Sequence, residues 1–312
     1  MGVLTNIMML ATRSAFTCDF CDSALSGDAY TPRATRRGVL VFGCKNCGLV
    51  QSFYSKEYCS RPPGNLSCNA DRSSIRYTKT LVSNYYKHHI KKILKANTGK
   101  QLSVLDVGSN RGGLISYVNS ICENVEFSCI EPDESVVDYD GANIKMRIGR
   151  IEHTPLKSRV FDLAYCVHTL EHVVSAKMVL KKIFNALKQG GQLILGVPKL
   201  ELYNDTVEEL FIDPHTFHFT RSDIINLLID VGFNIDYLSE PCHHDVIAVA
   251  TKNRTKNQKY KQYTKSPKFD FGMYKQIIAR NRAKLALKAS RIQNLSTRVP
   301  ILFWGAGRIF DS

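Results

Sequence analysis

The 312-residue chain carries 42 Lys and Arg against 28 Asp and Glu, a net charge of +14. That length suits two domains and a core that needs no disulfide staples, and no apolar run approaches the ~18 residues that span a bilayer. The opening MGVLTNIMMLATRSAF lacks the order of a secretory signal, and neither Asn6 nor Ile7 completes a myristoylation pattern at Gly2, so a cytoplasmic location without a membrane span is expected.

Four of the ten cysteines form CDFC at 18–21 and CKNC at 44–47, two C-x2-C pairs separated by 22 residues. Each pair can place two thiolates on one ion through a tight knuckle, and two knuckles close a tetrahedral sulfur shell. Cys18, Cys21, Cys44 and Cys47 are therefore expected to bind zinc, in a module spanning residues 1–60. The alternatives are two disulfides or free buried thiols. Cys59, Cys68, Cys122, Cys129, Cys166 and Cys242 have no such spacing and read as small core residues or incidental thiols.

Tyr77 to Asn97 reads as a helix with apolar and aromatic positions. VLDVGSNRGG at 104–113 is then a strand that stops on Asp106 and turns through glycines 108, 112 and 113 into a helix. Such a loop brings backbone close to an adenosyl ligand, although Asn110 stands where a dinucleotide fingerprint wants its second glycine. VEFSCIEP at 125–132 is a second buried strand ending on Glu131, 25 residues beyond Asp106, where an acid can accept both ribose hydroxyls. FDLAYCVHTLEHV at 161–173 is a strand followed by His168, Glu171 and His172. LKKIFNALKQGGQLILGVP at 180–198 reads as an amphipathic helix, a Gly-Gly turn and an apolar strand. DPHTFHFT at 213–220 follows it, with Thr220 or Ser222 able to cap the helix DIINLLIDVGF at 223–233. NIDYLSEP and DVIAVATK read as an antiparallel pair at the sheet edge.

The charge is concentrated at the end of the chain. Fourteen Lys and Arg lie between Lys252 and Arg298 against one acid, Asp270, leaving the rest of the chain at a net +1. This stretch reads as the linker NRTKNQKYKQYTKSPK and a solvated helix at 273–295. The alternative is a surface for nucleic acid or phosphate.

The order of these segments resembles the class I S-adenosylmethionine-dependent methyltransferases over roughly residues 75–250. The implied fold is α/β, a Rossmann-like sheet with helices on both faces, preceded by the zinc-binding module and followed by a basic helical tail at 251–312. The resemblance assigns the methionine part of the cofactor to Asp106, Gly108, Asn110 and Gly112, the ribose to Glu131, and the adenine to Ile151 and Glu152, with His168 also at the cofactor. Arg150 departs from the pattern, which often has an acid there. An ordinary nucleotide-binding Rossmann domain is the alternative.

A CxxC-CxxC module, the stretch GLVQSFY and then the glycine loop resemble, more narrowly, the sugar C-methyltransferases that act on nucleotide-linked keto sugars. VPILFWGAG at 299–307 resembles the start of the third region of those proteins. They carry an adjacent Glu-His pair after the fifth strand. Aligned on the terminal Phe-Thr, His215 falls on that His, Pro214 on the Glu and His218 on the following aromatic. The implied function is methylation of carbon or oxygen of a nucleotide-linked sugar or glycan precursor in polysaccharide biosynthesis. His215 is the expected base, His172 the reserve and His168 a third candidate; a ketone's α-proton needs a base, and histidine suits that task. A zinc-ribbon RNA methyltransferase and a non-catalytic cofactor-binding scaffold are the other readings.

Overall fold

The computed structural model describes residues 16–25, 29–32, 39–53, 84–97, 99–137, 139–204, 206, 210–211, 215–253, 260 and 266–296. The start of the expected helix at Tyr77, the cysteines at 59 and 68, Pro214 and the segment 299–307 lie outside these residues.

Apolar runs without polar alternation form strands buried on both faces. Four of them, β3 (Leu102–Val107), β4 (Val125–Glu131), β6 (Phe161–Val167) and β7 (Leu187–Pro198), pair in parallel, and the alternating, more exposed edge strand β5 (Ile144–Ile148) adds to β4 in the same direction. Two antiparallel strands, β9 (Asn234–Leu238) and β10 (Asp245–Thr251), complete a seven-stranded sheet in the order β5-β4-β3-β6-β7-β10-β9. The side-chain period of two sends neighbours to opposite faces. Val104 joins the cluster under α1 (Asn84–Ala96) and α2 (Gly113–Asn119), with Ile90, Leu114 and Phe127. Leu105 joins the other face, under α3 (Ala176–Ala186) and α4 (Arg221–Val231), with Leu180, Ile183 and Leu228. Both latter helices begin on side-chain caps: Ser175 accepts from Met178 N, and Thr220 forms a reciprocal capping box with Asp223.

The expected Gly-Gly turn is a bulge inside β7 instead. Leu187 already pairs with Phe161, and the register then shifts so that Gln192 faces Leu163. Hydrogen bonds from Gly190 N to Lys252 O and from Lys252 N to Gly191 O hold the glycines in the sheet.

The cysteine module is built into this body. Its hairpin, β1 (Leu40–Gly43) and β2 (Val50–Phe53), gains a third strand from the other part of the chain, because β2 pairs with the two-residue β8 (Phe217–His218). Ser52 Oγ lies 2.7 Å from His218 Nε2 across that pair. The knuckle residue Asp19 accepts a 2.9 Å hydrogen bond from Lys177 N in the first turn of α3, while Lys177 Nζ donates to Phe20 O. Module residues Cys18, Leu25, Phe42 and Leu49 share one apolar cluster with α3, α4 and the sheet.

The basic tail divides. In α5 (Phe271–Ser296), Tyr274, Ile277, Ile278 and Asn281 are buried; Tyr274 meets the rings of Tyr30, Phe211 and Phe269 edge-on, and Phe271 packs on the same cluster. Asn281 donates to the carbonyls of Asn204 and Thr206. The expected solvated helix therefore holds only for the second half, where Leu287 is 65% exposed. The first half uses an apolar face that the many lysines obscure in the composition. Of the module's attachments to α3, the Asp19 bond is the one that a single substitution deletes cleanly. Asp19→Ala is expected to cost about 1 kcal/mol, the scale of a lost helix N-terminal cap, read as a lower midpoint in scanning calorimetry. A melt superimposable on that of the parent would mean that this bond adds nothing to the module's attachment.

Candidate functional site

In a doubly wound sheet, the connections leaving two neighbouring parallel strands toward opposite sides open a crevice at the strands' carboxyl ends. Here that point lies between β3 and β6. The chain runs from β3 outward through β4 and β5, then returns to β6 on the far side. The loop after β3 meets the loop after β6 without room for side chains. A Cβ on Gly108, which has φ +75°, would sit 2.1 Å from Thr169 Oγ1, and one on Gly112, at φ +69°, 2.7 Å from the Tyr139 ring. Asn110 also adopts a left-handed conformation, at φ +45°. Asparagine tolerates that region better than most side chains, which is why the missing glycine does no harm.

Two acids line the crevice. Asp106 and Glu131 are 2% and 5% exposed, and no Lys or Arg pairs with either among the described residues. Glu131 accepts from Asn110 N at 2.8 Å through Oε2 and from Asp133 N at 3.0 Å through Oε1, so the acid expected at the ribose also shapes the glycine loop. Burial, with the neighbouring charge of Glu131, pushes Asp106 up to about 8, and burial raises Glu131 as well. Paired buried carboxylates without a cation suit a positively charged ligand.

The residues expected at adenine are committed to the protein. Glu152 accepts from Arg150 Nη2 at 3.1 Å and from Val174 N at 2.8 Å; Lys182 Nζ donates to the carbonyls of Ile151 and Glu152. The Ile151 side chain is buried in the core. Arg150, the departure from the family pattern, captures the carboxylate and also donates to His172 O.

Beyond the crevice lies a histidine cluster. His168, strained at φ +50°, follows β6 and places Nδ1 3.6 Å from Glu171 Oε1 and Nε2 3.4 Å from Asp245 Oδ2. Burial opposes its charge, but Asp245 and Glu171 outweigh that and hold it at about 10. Glu171 is 1% exposed; burial favours its neutral form, yet the His168 hydrogen bond and the adjacent imidazoles lower it below the usual range. Thr216 donates through N and Oγ1 to Glu171 O and through Oγ1 to Val173 O, which docks the segment bearing His215 on the turn Leu170–His172. The His172 and His215 rings are consequently 4.7 Å apart. Burial, then His172, pushes His215 down to about 4, so it is neutral at pH 7. His218 is buried against Ser52, its ring centroid 6.3 Å from that of His215. Asp245, Tyr139 and Thr169 complete the surroundings. Nothing in their local sequence marks them, since only the register of β10 and the loop packing bring them here.

The four module cysteines converge, as their spacing requires. Cys18 Sγ lies 3.4 Å from Cys47 Sγ and Cys21 Sγ 3.6 Å from Cys44 Sγ, all four sulfurs lie within 4.8 Å of one another, and none forms a disulfide. Edges of a tetrahedral zinc–sulfur shell are about 3.8 Å for bonds of about 2.3 Å, so the set fits such an ion. The hydrogen bond between Cys18 and Cys47 favours the thiolate on Cys18 and the thiol on Cys47, so the pair shares a proton.

A Rossmann-like sheet with an acid-lined glycine loop at its switch point defines a class I S-adenosylmethionine-dependent methyltransferase. The chain belongs to the methyltransferase-domain family, whose model matches residues 78–238. An uncharacterized protein of Methanocaldococcus jannaschii is 33% identical over 147 residues, 46% of this chain and 60% of that relative's length. Among solved structures, a Listeria monocytogenes protein described as an S-adenosylmethionine-dependent methyltransferase is 19% identical, covering 53% of this chain and 97% of its own, with a TM-score of 0.45. One from Methanosarcina mazei is 20% identical, covering 52% and 97%, with a TM-score of 0.40. Among the described residues no helix is long and apolar enough to cross a membrane.

The acid at Asp106 gives stability a definite pH dependence. Above the unfolded carboxyl value of about 3.9 the unfolded chain releases this proton while the folded protein keeps it until about 8. Stability should therefore fall as pH rises from about 4 to 8 and level off above that. Asp106→Asn removes this contribution, and thermal melts should show its midpoint gaining on that of the parent between pH 5 and pH 8. A constant difference across that range would show that Asp106 ionises normally.

Proposed function

We propose that this methyltransferase acts on carbon or oxygen of a nucleotide-linked sugar or related glycan precursor. The observation that carries the reading is the apposition of His215 and His172 over buried Glu171, beside the cofactor crevice. Asp106, Gly108, Asn110 and Gly112 hold the methionine part of the cofactor, Glu131 takes the ribose hydroxyls through its remaining lone pairs, and the Ile151–Glu152 segment borders adenine. S-adenosylmethionine supplies an electrophilic methyl group on a sulfonium. Transfer is an in-line displacement, so the protein's contribution is to align the acceptor and to manage one proton.

His215, neutral at pH 7, takes that proton. His172 is the neighbouring imidazole that can pass it on. His168, held charged by Glu171 and Asp245, sets a positive field toward oxygen charge developing on the acceptor. A single base serves O-methylation of a hydroxyl; Pro214 stands where the sugar C-methyltransferases carry the partner Glu. The four cysteines hold zinc and keep β2 in place against β8, the strand that follows His215. The second reading, RNA as acceptor, is favoured by the exposed half of α5, whose charged side chains are all Lys or Arg.

Asp106→Ala and Glu131→Ala should each weaken binding of S-adenosylhomocysteine by about 10- to 100-fold in titration calorimetry, corresponding to ~1.5–3 kcal/mol for a charged hydrogen bond. Unchanged affinity in both would remove the two acids from the cofactor site. His215→Asn should leave that affinity unaltered and lower turnover by about 100-fold or more, measured with labelled cofactor against pools of nucleotide sugars and of total RNA. Label in RNA alone would replace the sugar reading, and near-parental turnover would take the base role from His215.

A further inference from the structure

One group of metal-ligand side chains lies outside the cysteine module. Glu171, His172 and His215 each direct a donor atom into a common volume, with all three atoms within 4.8 Å of one another. Glu171 Oε1 and His172 Nε2 are 3.7 Å apart. Donors bound to one ion at about 2.1 Å lie about 3.4 Å apart at tetrahedral angles, so shifts of about 1 Å close the set around an ion.

The interior around these atoms is unbalanced in the direction a cation corrects. Among the described residues the buried Glu171 Oε2 has no hydrogen-bond partner, and a buried carboxylate oxygen without a partner is costly. His168 sits between Glu171 and Asp245, so two carboxylates share one imidazole. The other two rings, His172 and His215, are only partly buried, which leaves a path from solvent. Thr216 ties the segment carrying His215 to the Glu171 and Val173 carbonyls, so the three ligands are held together by the fold and not by a flexible loop.

We propose that Glu171, His172 and His215 form a second metal site, for a divalent transition ion of the zinc class. Two imidazoles and one carboxylate are the donor set such ions take with coordination positions left open, unlike the closed sulfur shell of the module. Ligation uses the lone pair by which His215 accepts a proton. On the reading of His215 as base, a bound ion and proton acceptance exclude each other, and the ion inhibits methyl transfer.

The test is a titration of the full chain with Co2+ after dialysis against a mild chelator, without cofactor or acceptor. Cobalt entering any vacant cysteine site announces itself by a thiolate charge-transfer band. The expected result is one further equivalent after that band has saturated, with ligand-field bands of nitrogen and oxygen ligation. Glu171→Gln and His215→Ala should each weaken that equivalent by at least about tenfold. Because Glu171 is buried, its variant is read beside His215→Ala, whose ring is partly exposed, and both are checked by circular dichroism. Absence of the further equivalent in the parent, or equal uptake by both folded variants, overturns the proposal. A failed titration leaves the turnover loss of His215→Asn standing; a successful one with near-parental turnover of His215→Asn keeps the metal site and removes the base.

Discussion

A carboxylate enclosed almost completely by protein must be matched by charge or hydrogen bonds, or the fold suffers for it. Glu171 is that group here, and much of the histidine cluster follows from it. Its side chain draws His168 out of the regular conformation after β6 and stands within reach of His172. Its carbonyl receives Thr216, which brings His215 over the same turn. Asp245, from the neighbouring antiparallel strand, holds the other nitrogen of His168. One buried acid thereby organises side chains from the end of β6, the approach to β8 and the start of β10.

The cofactor side obeys a different constraint. The Thr169 side chain after β6 and the Tyr139 ring after β4 press so closely on the loop after β3 that glycine is required at 108 and 112, and among the described residues no Lys or Arg pairs with Asp106 or Glu131. An empty crevice of this kind is electrostatically unfavourable for the protein alone and favourable once a cationic ligand enters. The close approach at Gly108 and the raised Asp106 are two aspects of one arrangement, backbone and charge both disposed for a ligand.

The cysteine module is a structural extension of the catalytic body. Its knuckle touches the first turn of α3, its hairpin is completed by β8, and its outer face is covered by Tyr274 and the phenylalanines near α5. Three segments distant in the chain meet on it.

Much of this was legible without coordinates, because the relevant physics is local. The acid-glycine loop after an apolar run, the acid at the end of β4, the paired C-x2-C knuckles and the apolar periods of α3 and α4 each rest on residues close in sequence. So did the antiparallel pair at the sheet edge, β9 and β10. Other features depend on which strands become neighbours. The Gly-Gly pair became a bulge because Lys252 pairs with it across the sheet, and the basic helix proved half buried because its apolar face meets Tyr30 and Phe211. Glu152 turned to Arg150, where an acid is the common pattern, a contact that the spacing did not announce. The proximity of His172 to His215, the clamp of Asp245 on His168 and the docking of β2 on β8 were decided only by tertiary structure, since hydrogen bonds between distant segments leave no periodicity in the chain. Local spacing determined what kind of chemistry this protein carries; the packing of loops at the strand ends determined which side chains share it.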